Sequence, residues 1–280
     1  MKEKKPVPIA EWILLVIKGI VVGAGAIIPG VSGGVLCVVF GIYQPMMALL
    51  AHPIKSFKTY YKIFIPFIIG WLAGFLLIAK LVEMLFAASA SIAIALFVGL
   101  IAGTLPSLFK EAGKFGTDNK SRIGFTLGLF LMFTLLLLLD NQSSSSITPN
   151  IWWFAFSGLI WGFSLIVPGL SSSSILIFMG LYQPMTSGIA ALDMAVILPL
   201  IAGLAVTVLL FARLVNHLFE KHHSIMHHTI IGIVIASTLL IIPTEYPNWW
   251  SLVISVVCFA AGFAASVFMN KLDKNSEKTA

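Results

Sequence analysis

Polar residues are sparse along this chain, and they fall between long apolar runs instead of alternating with them. Six runs, at 63–86, 92–109, 123–139, 194–219, 229–242 and 250–269, read as helices that cross a bilayer, whose hydrocarbon layer of roughly 30 Å takes about 20 helical residues. Two further apolar regions, 11–50 and 151–185, are broken near the middle by Pro29-Gly30 and Pro168-Gly169. Such a pair disfavours a continuous helix and frees backbone groups that lipid cannot satisfy. Each broken region is expected to be a re-entrant helical hairpin with its tip buried in protein. Because the first limb of each is almost long enough to span, a pair of short full spans remains the alternative.

The two broken regions are copies of one element. Residues 19–46 and 158–185 align without a gap at an offset of 139, and 11 of the 28 positions are identical. The shared residues are not interchangeable apolar ones. Pro29, Gly30 and Ser32 recur as Pro168, Gly169 and Ser171, and Gly41-x-Tyr43-Gln44-Pro45-Met46 recurs as Gly180-x-Tyr182-Gln183-Pro184-Met185. Further on, 66–86 matches 199–219 at an offset of 133, pairing Gly70 with Gly203 and Lys80 with Arg213, and Gly99 then meets Gly232. A repeat through most of each half is the internal symmetry of secondary transporters.

Charge fixes the orientation of the copies. Basic residues cluster at 2–5, 55–62, 110–122, around Lys221 and at 271–278, whereas the intervening loops carry none. The positive-inside rule makes the first set cytoplasmic. Each hairpin then begins and ends on one side, three crossings follow it, and the second copy is inverted relative to the first. The expected organisation is a cytoplasmic segment at 1–10, membrane repeat 1 at 11–140, an extracellular connection at 141–150, inverted repeat 2 at 151–270 and a cytoplasmic tail at 271–280. Trp12, Trp152, Trp153, Trp249 and Trp250 fall at expected membrane ends. Composition agrees: 59% hydrophobic and 10% charged residues exclude a soluble globule. The net charge of +6 reflects topology signals dispersed over short loops, not a nucleic-acid surface. Cys37 and Cys258 lie in apolar runs and read as small buried hydrophobes, with no disulfide implied.

After each Pro-Gly break the chain restarts among small polar residues: Ser32, Gly33 and Gly34 in one copy, Ser171, Ser172, Ser173 and Ser174 in the other. Free N–H groups, hydroxyl donors and close backbone approach suit an anion, and inversion opposes the two tips near the midplane. Lys80 and Arg213 are costly cations in spans, where they either snorkel or meet an anionic substrate; Glu83, at i+3 from Lys80, neutralises it in the first case. Tyr43, Gln44, Tyr182 and Gln183 read mainly as architecture, with Gln on freed carbonyls and Tyr as an interfacial anchor; the alternative is that they line the pathway. His222-His223 and His227-His228 have ligand-like spacing, but repeat counterparts around Ser89 to Ile94 lack His, so they read as a polar cytoplasmic turn and no metal is assigned. No paired catalytic carboxylates, nucleophile constellation, P-loop or dinucleotide fingerprint supports an enzyme or a cofactor.

The doubled Pro-Gly-x-Ser and Gly-x-Tyr-Gln-Pro-Met elements, over nearly the whole chain, resemble the bacterial polyprenyl-phosphate transporter family. The resemblance implies transport of undecaprenyl phosphate from the outer to the inner leaflet of the cytoplasmic membrane, which recycles the carrier lipid of cell-envelope synthesis. A proton or sodium ion is, apart from the resemblance, a candidate coupling ion. The residues alone reach only an anion held at opposed hairpin tips. A transporter of a small soluble anion and an integral-membrane enzyme acting on a phospholipid headgroup remain alternatives at this point.

Overall fold

The computed structural model describes residues 9–28, 36–37, 40–42, 45–46, 53–142, 148–167, 170 and 172–277. In chain order its helices are α1 (Ile9–Ile27), α2 (Pro53–Ala88), α3 (Ala90–Ala112), α4 (Asn119–Gln142), α5 (Ile151–Ile166), α6 (Ser172–Phe178), α7 (Tyr182–Ala190), α8 (Met194–Lys221), α9 (His223–Leu240) and α10 (Trp249–Glu277). Polar residues start several of them. Ser89, Asn150 and Asp193 accept a hydrogen bond from the first-turn N–H groups of α3, α5 and α8, as Asp118 and Asn248 do beside α4 and α10. Such caps satisfy donors that the membrane would leave orphaned.

Among the described residues, seven helices are long and apolar enough to cross a membrane: α1, α2, α3, α4, α8, α9 and α10. Six are the expected full spans; the seventh is the first limb of the first hairpin. Its counterpart α5 has 16 residues, or about 24 Å of helix, short of a full crossing. Two expected boundaries shift. The basic stretch 55–62 lies inside α2, which is kinked at Tyr60, and the histidines at 223–228 lie in the first turns of α9, where His227 and His228 are buried, not in a polar turn. Large apolar side chains cover the outer surface, among them Leu77, Leu131, Leu209, Leu210 and Val257. A surface of that kind belongs in lipid, and the protein is a multi-pass membrane protein.

Glycine brings the helices together. A Cβ on Gly70 or Gly74 would fall on the carbonyl of Val16 or Ile20, and one on Gly19 or Gly23 on that of Phe67 or Trp71, so α1 and α2 touch backbone to backbone. The contact advances along both helices together, which makes them parallel neighbours. The pair α5/α8 repeats the arrangement through Gly158, Gly162 and Gly203 against Leu200, Leu204 and Ala155. At the position of Gly74 the second half has Thr207, whose hydroxyl donates to the Leu159 carbonyl at 3.0 Å, the counterpart of Ile20.

The other two tight pairs join the halves. Gly99 and Gly262 seat α3 against α10 at Phe259 and Leu96, while Gly232 and Gly128 seat α9 against α4 at Phe125 and Thr229. These contacts match one another at offsets of 133 and 134, so the repeat extends into the last helix, where few identities such as Phe125 with Phe259 and Gly128 with Gly262 remain. Exchanging the halves maps every tight pair onto another. The halves also interlock: the core around Ala79, Val82, Phe86 and Phe97 of α2 and α3 is completed by Leu176, Tyr182, Met185 and Ile189 of α6 and α7.

Because the α5/α8 contact has no room for a side chain, Gly203→Val is expected to destabilise the detergent-solubilised protein by at least about 2 kcal/mol. Gly113→Ala, where a Cβ meets nothing within 4 Å, should stay within about 0.5 kcal/mol of wild type. Thermal unfolding of both variants checks the contrast.

Candidate functional site

The second hairpin is described almost completely. Helix α5 ends at Val167, extended as a residue before proline must be, and Leu170 N–H returns to the Val167 carbonyl at 3.3 Å. The chain restarts at Ser172, and α6 closes at Gly180, whose φ of +69° is the left-handed value that ends a helix. The first hairpin closes identically. Gly41 has φ +70°, and Ile42 N–H bonds the Cys37 carbonyl at 2.8 Å, as Leu181 N–H bonds that of Leu176 at 2.8 Å. This accounts for the glycine of each Gly-x-Tyr-Gln-Pro-Met motif. Gly30, Ser32, Gly33, Gly34, Tyr43, Gln44 and the breaks Pro29, Pro168, Gly169 and Ser171 lie outside the described residues.

The serines of the second break are in the interior. Ser172 and Ser173 are buried, and Ser174 is fully so. The hydroxyls of Ser172 and Ser164 lie 3.0 Å apart, and because Ser164 gives its proton to the Trp161 carbonyl at 2.8 Å, Ser172 is the donor between them. The hydroxyls of Ser174 and Ser237 also share a hydrogen bond at 3.0 Å, and Ser237 reaches the Val234 carbonyl at 3.2 Å. Two serines thus fasten α6 to α5 and α9. In the first copy Gly25 and Gly33 stand where Ser164 and Ser172 stand, so donor and acceptor are replaced together.

Tyr182 carries the contact that sequence reasoning missed. It is not an interfacial anchor: its ring is buried between Phe86 and Phe97, and its hydroxyl donates to the Ile27 carbonyl at 2.7 Å. Ile27 is the last residue of α1, two residues before Pro29, and the carbonyls of a helix's last turn need partners from outside the helix. The end of one hairpin therefore satisfies the break of the other. The Gln183 side chain is exposed. The motif's strict repetition was the available signal, but nothing in one sequence says which carbonyl Tyr182 meets.

Lys18 reaches the same region of the first hairpin, donating to the Phe40 carbonyl at 3.0 Å. The other cations lie outward. Lys80 is exposed and paired with Glu83 at 2.8 Å, while its neighbours Ala79 and Val82 face the core. Arg213 is exposed on α8.

Tyr182→Phe removes one hydrogen bond and leaves a buried carbonyl unpaired, for an expected loss of about 1–3 kcal/mol in thermal or denaturant unfolding. Gln183→Ala, at an exposed position, should leave stability within about 0.5 kcal/mol of wild type.

Comparison with known proteins adds the following. A family model described as undecaprenyl phosphate translocase-like matches residues 3–123 and 61–256. A protein of Staphylococcus aureus (strain NCTC 8325 / PS 47) named polyprenyl-phosphate transporter is 24% identical, over 95% of this chain and 99% of its own length. One of the same name from Vibrio cholerae serotype O1 is 22% identical, over 84% of this chain and 79% of its own. No solved structure matches.

Proposed function

The chain belongs to the undecaprenyl phosphate translocase-like family, and on that premise we propose that it moves undecaprenyl phosphate, or a related polyprenyl phosphate, from the outer to the inner leaflet of the bacterial cytoplasmic membrane. In that role it returns the carrier lipid for another round of cell-envelope synthesis. The observation that carries the proposal is the bond from Tyr182 to Ile27, which ties the end of one hairpin to the break of the other and brings the duplicated elements into one buried region.

The two halves are inverted in this reading, as 11–140 and 151–270. Support comes from the helix directions. α1 and α2 are parallel, single-residue links reverse α2 into α3 and α8 into α9, and α3 and α4 run parallel to α10 and α9 of the other half. Following those directions through the chain gives each helix of one half the opposite sense to its counterpart. Inverted halves with a site between them are the arrangement that alternating access requires. The basic loops place both termini in the cytoplasm. In a chain whose Cys37 and Cys258 are replaced, cysteines at Thr148 and Pro247 should react from outside and one at Thr117 only from inside; labelling of all three from one side contradicts the reading.

The phosphate is held at the opposed breaks by Ser32, Gly33 and Gly34 in one half and Ser171, Ser172 and Ser173 in the other. Helix α6 has only seven residues, so hydroxyl and backbone N–H donors, not a helix macrodipole, supply the binding. Because its own proton goes to Ser164, Ser172 contributes its backbone N–H. Arg213, exposed where lipid lies, meets the phosphate as it enters from the bilayer, with Lys80 as its counterpart in the other half. A lipid-facing cation is hard to maintain without an anionic partner, and a lipid phosphate is one. A proton or sodium ion is the candidate coupling ion.

Ser32→Asp or Ser171→Asp should abolish lipid-phosphate transport in proteoliposomes, because a carboxylate occupies the anion site, whereas Ser→Ala removes one hydroxyl and retains most activity. Arg213→Ala should impair transport with normal membrane insertion, and Arg213→Lys should recover part of it, since charge survives and the bidentate fork does not. Well-folded aspartate variants that transport as wild type would place the phosphate elsewhere.

A further inference from the structure

Outside the hairpins, one cluster of side chains has a geometry that a bare helix junction does not need. The last turn of α3 and the first two turns of α9 bring Glu111, His223 and His227 together, with one potential ligand atom from each residue all within 4.8 Å of one another. We propose that these three residues form a binding site for a first-row divalent transition-metal ion of the zinc class, which clasps α3 of the first half to α9 of the second.

His223 and His227 are i and i+4 on one helix face, a spacing that directs two imidazoles at a single ion. Two imidazoles and a carboxylate suit zinc-like ions. The His227 Nδ1–H lies 2.9 Å from the His223 carbonyl and donates to it, which leaves Nε2 unprotonated as a ligand. The carboxylate is oriented as well. Lys114 holds Glu111 Oε2 at 2.7 Å, so the other oxygen, Oε1, is the one turned to His223.

The contact between the two helices is long enough to admit an ion. His223 Nε2 and Glu111 Oε1 are 4.0 Å apart, too far for a hydrogen bond. Two zinc–ligand bonds of roughly 2.0–2.2 Å meeting at a tetrahedral angle span about 3.4 Å, so the two side chains close by roughly half an ångström on an ion. The two imidazoles stack at 4.1 Å between ring centroids, and Phe219 closes one side of His227 edge-on at 5.0 Å. The Glu111 and His223 side chains are 40% and 24% exposed while His227 is buried, so the cluster is open along one edge. Three protein ligands and an exposed edge leave the fourth position to water.

The site breaks the internal symmetry. The repeat counterparts of His223, His227 and Glu111 are Ala90, Ile94 and Thr244, so the other end of the molecule has no equivalent cluster. An ion here links the halves at one face only. It is independent of the phosphate site and of the transport reading.

The test uses the full-length, tag-free protein, stripped with chelator, and titrated with Co2+ followed by absorption and with Zn2+ followed by calorimetry and thermal unfolding. One ion per chain should bind at micromolar metal and raise the unfolding temperature. Glu111→Gln and His223→Ala, which leave the buried His227 in place, should weaken binding at least about tenfold, since even a second-shell change costs that much. Both should melt as wild type without metal, and His217→Ala and His222→Ala, both exposed, should bind as wild type. No saturable binding by the wild type, or unaltered binding by Glu111→Gln and His223→Ala, would overturn the assignment.

Discussion

A bilayer offers no hydrogen-bond partner to a peptide group, and two Pro-Gly breaks inside this protein free several such groups. Everything around the hairpins answers that demand. Tyr182 takes the Ile27 carbonyl, Lys18 takes that of Phe40, and paired serines fasten the second break to α5 and α9. A continuous helix would need none of these bonds. These bonds enclose polar groups of the described residues beside the breaks, among them Ser172, Ser173 and Ser174, in the protein interior.

Enclosure depends in turn on the glycine contacts. Lipid tails are as apolar as leucine side chains, so helices in a membrane gain little from burying apolar area and associate through close packing instead. Gly19, Gly23, Gly70 and Gly74 let α1 lie directly on α2, and Gly158, Gly162 and Gly203 do the same for α5 and α8. These pairs stand within each half. The α3/α10 and α4/α9 pairs cross between halves, so the protein has two seams of one kind that fix each hairpin to its own half and two of another that hold the halves to each other.

Much of this was legible in the sequence. Gapless repetition of 19–46 in 158–185 marked the two broken regions, and the apolar runs located all six spans, with α2 and α9 starting several residues earlier than expected. Three features were not legible, each for a physical reason. Tyr182 repeats as faithfully as Gln183, but whether a side chain meets lipid or a freed carbonyl depends on which element crosses it. The last helix of each half keeps little besides Ser121, Phe125 and Gly128 in register with Ser255, Phe259 and Gly262, because lipid-facing positions accept any apolar residue whereas the two glycines accept no Cβ. His223 and His227 look like a polar turn until α3 supplies Glu111 from more than a hundred residues away.

The central claim is that this protein moves a lipid phosphate between leaflets. Its most direct test is reconstitution into liposomes with labelled undecaprenyl phosphate confined to one leaflet and inorganic phosphate trapped inside. The account predicts protein-dependent appearance of the lipid in the opposite leaflet while the trapped phosphate stays in place. Release of the inorganic phosphate without exchange of the lipid would contradict it.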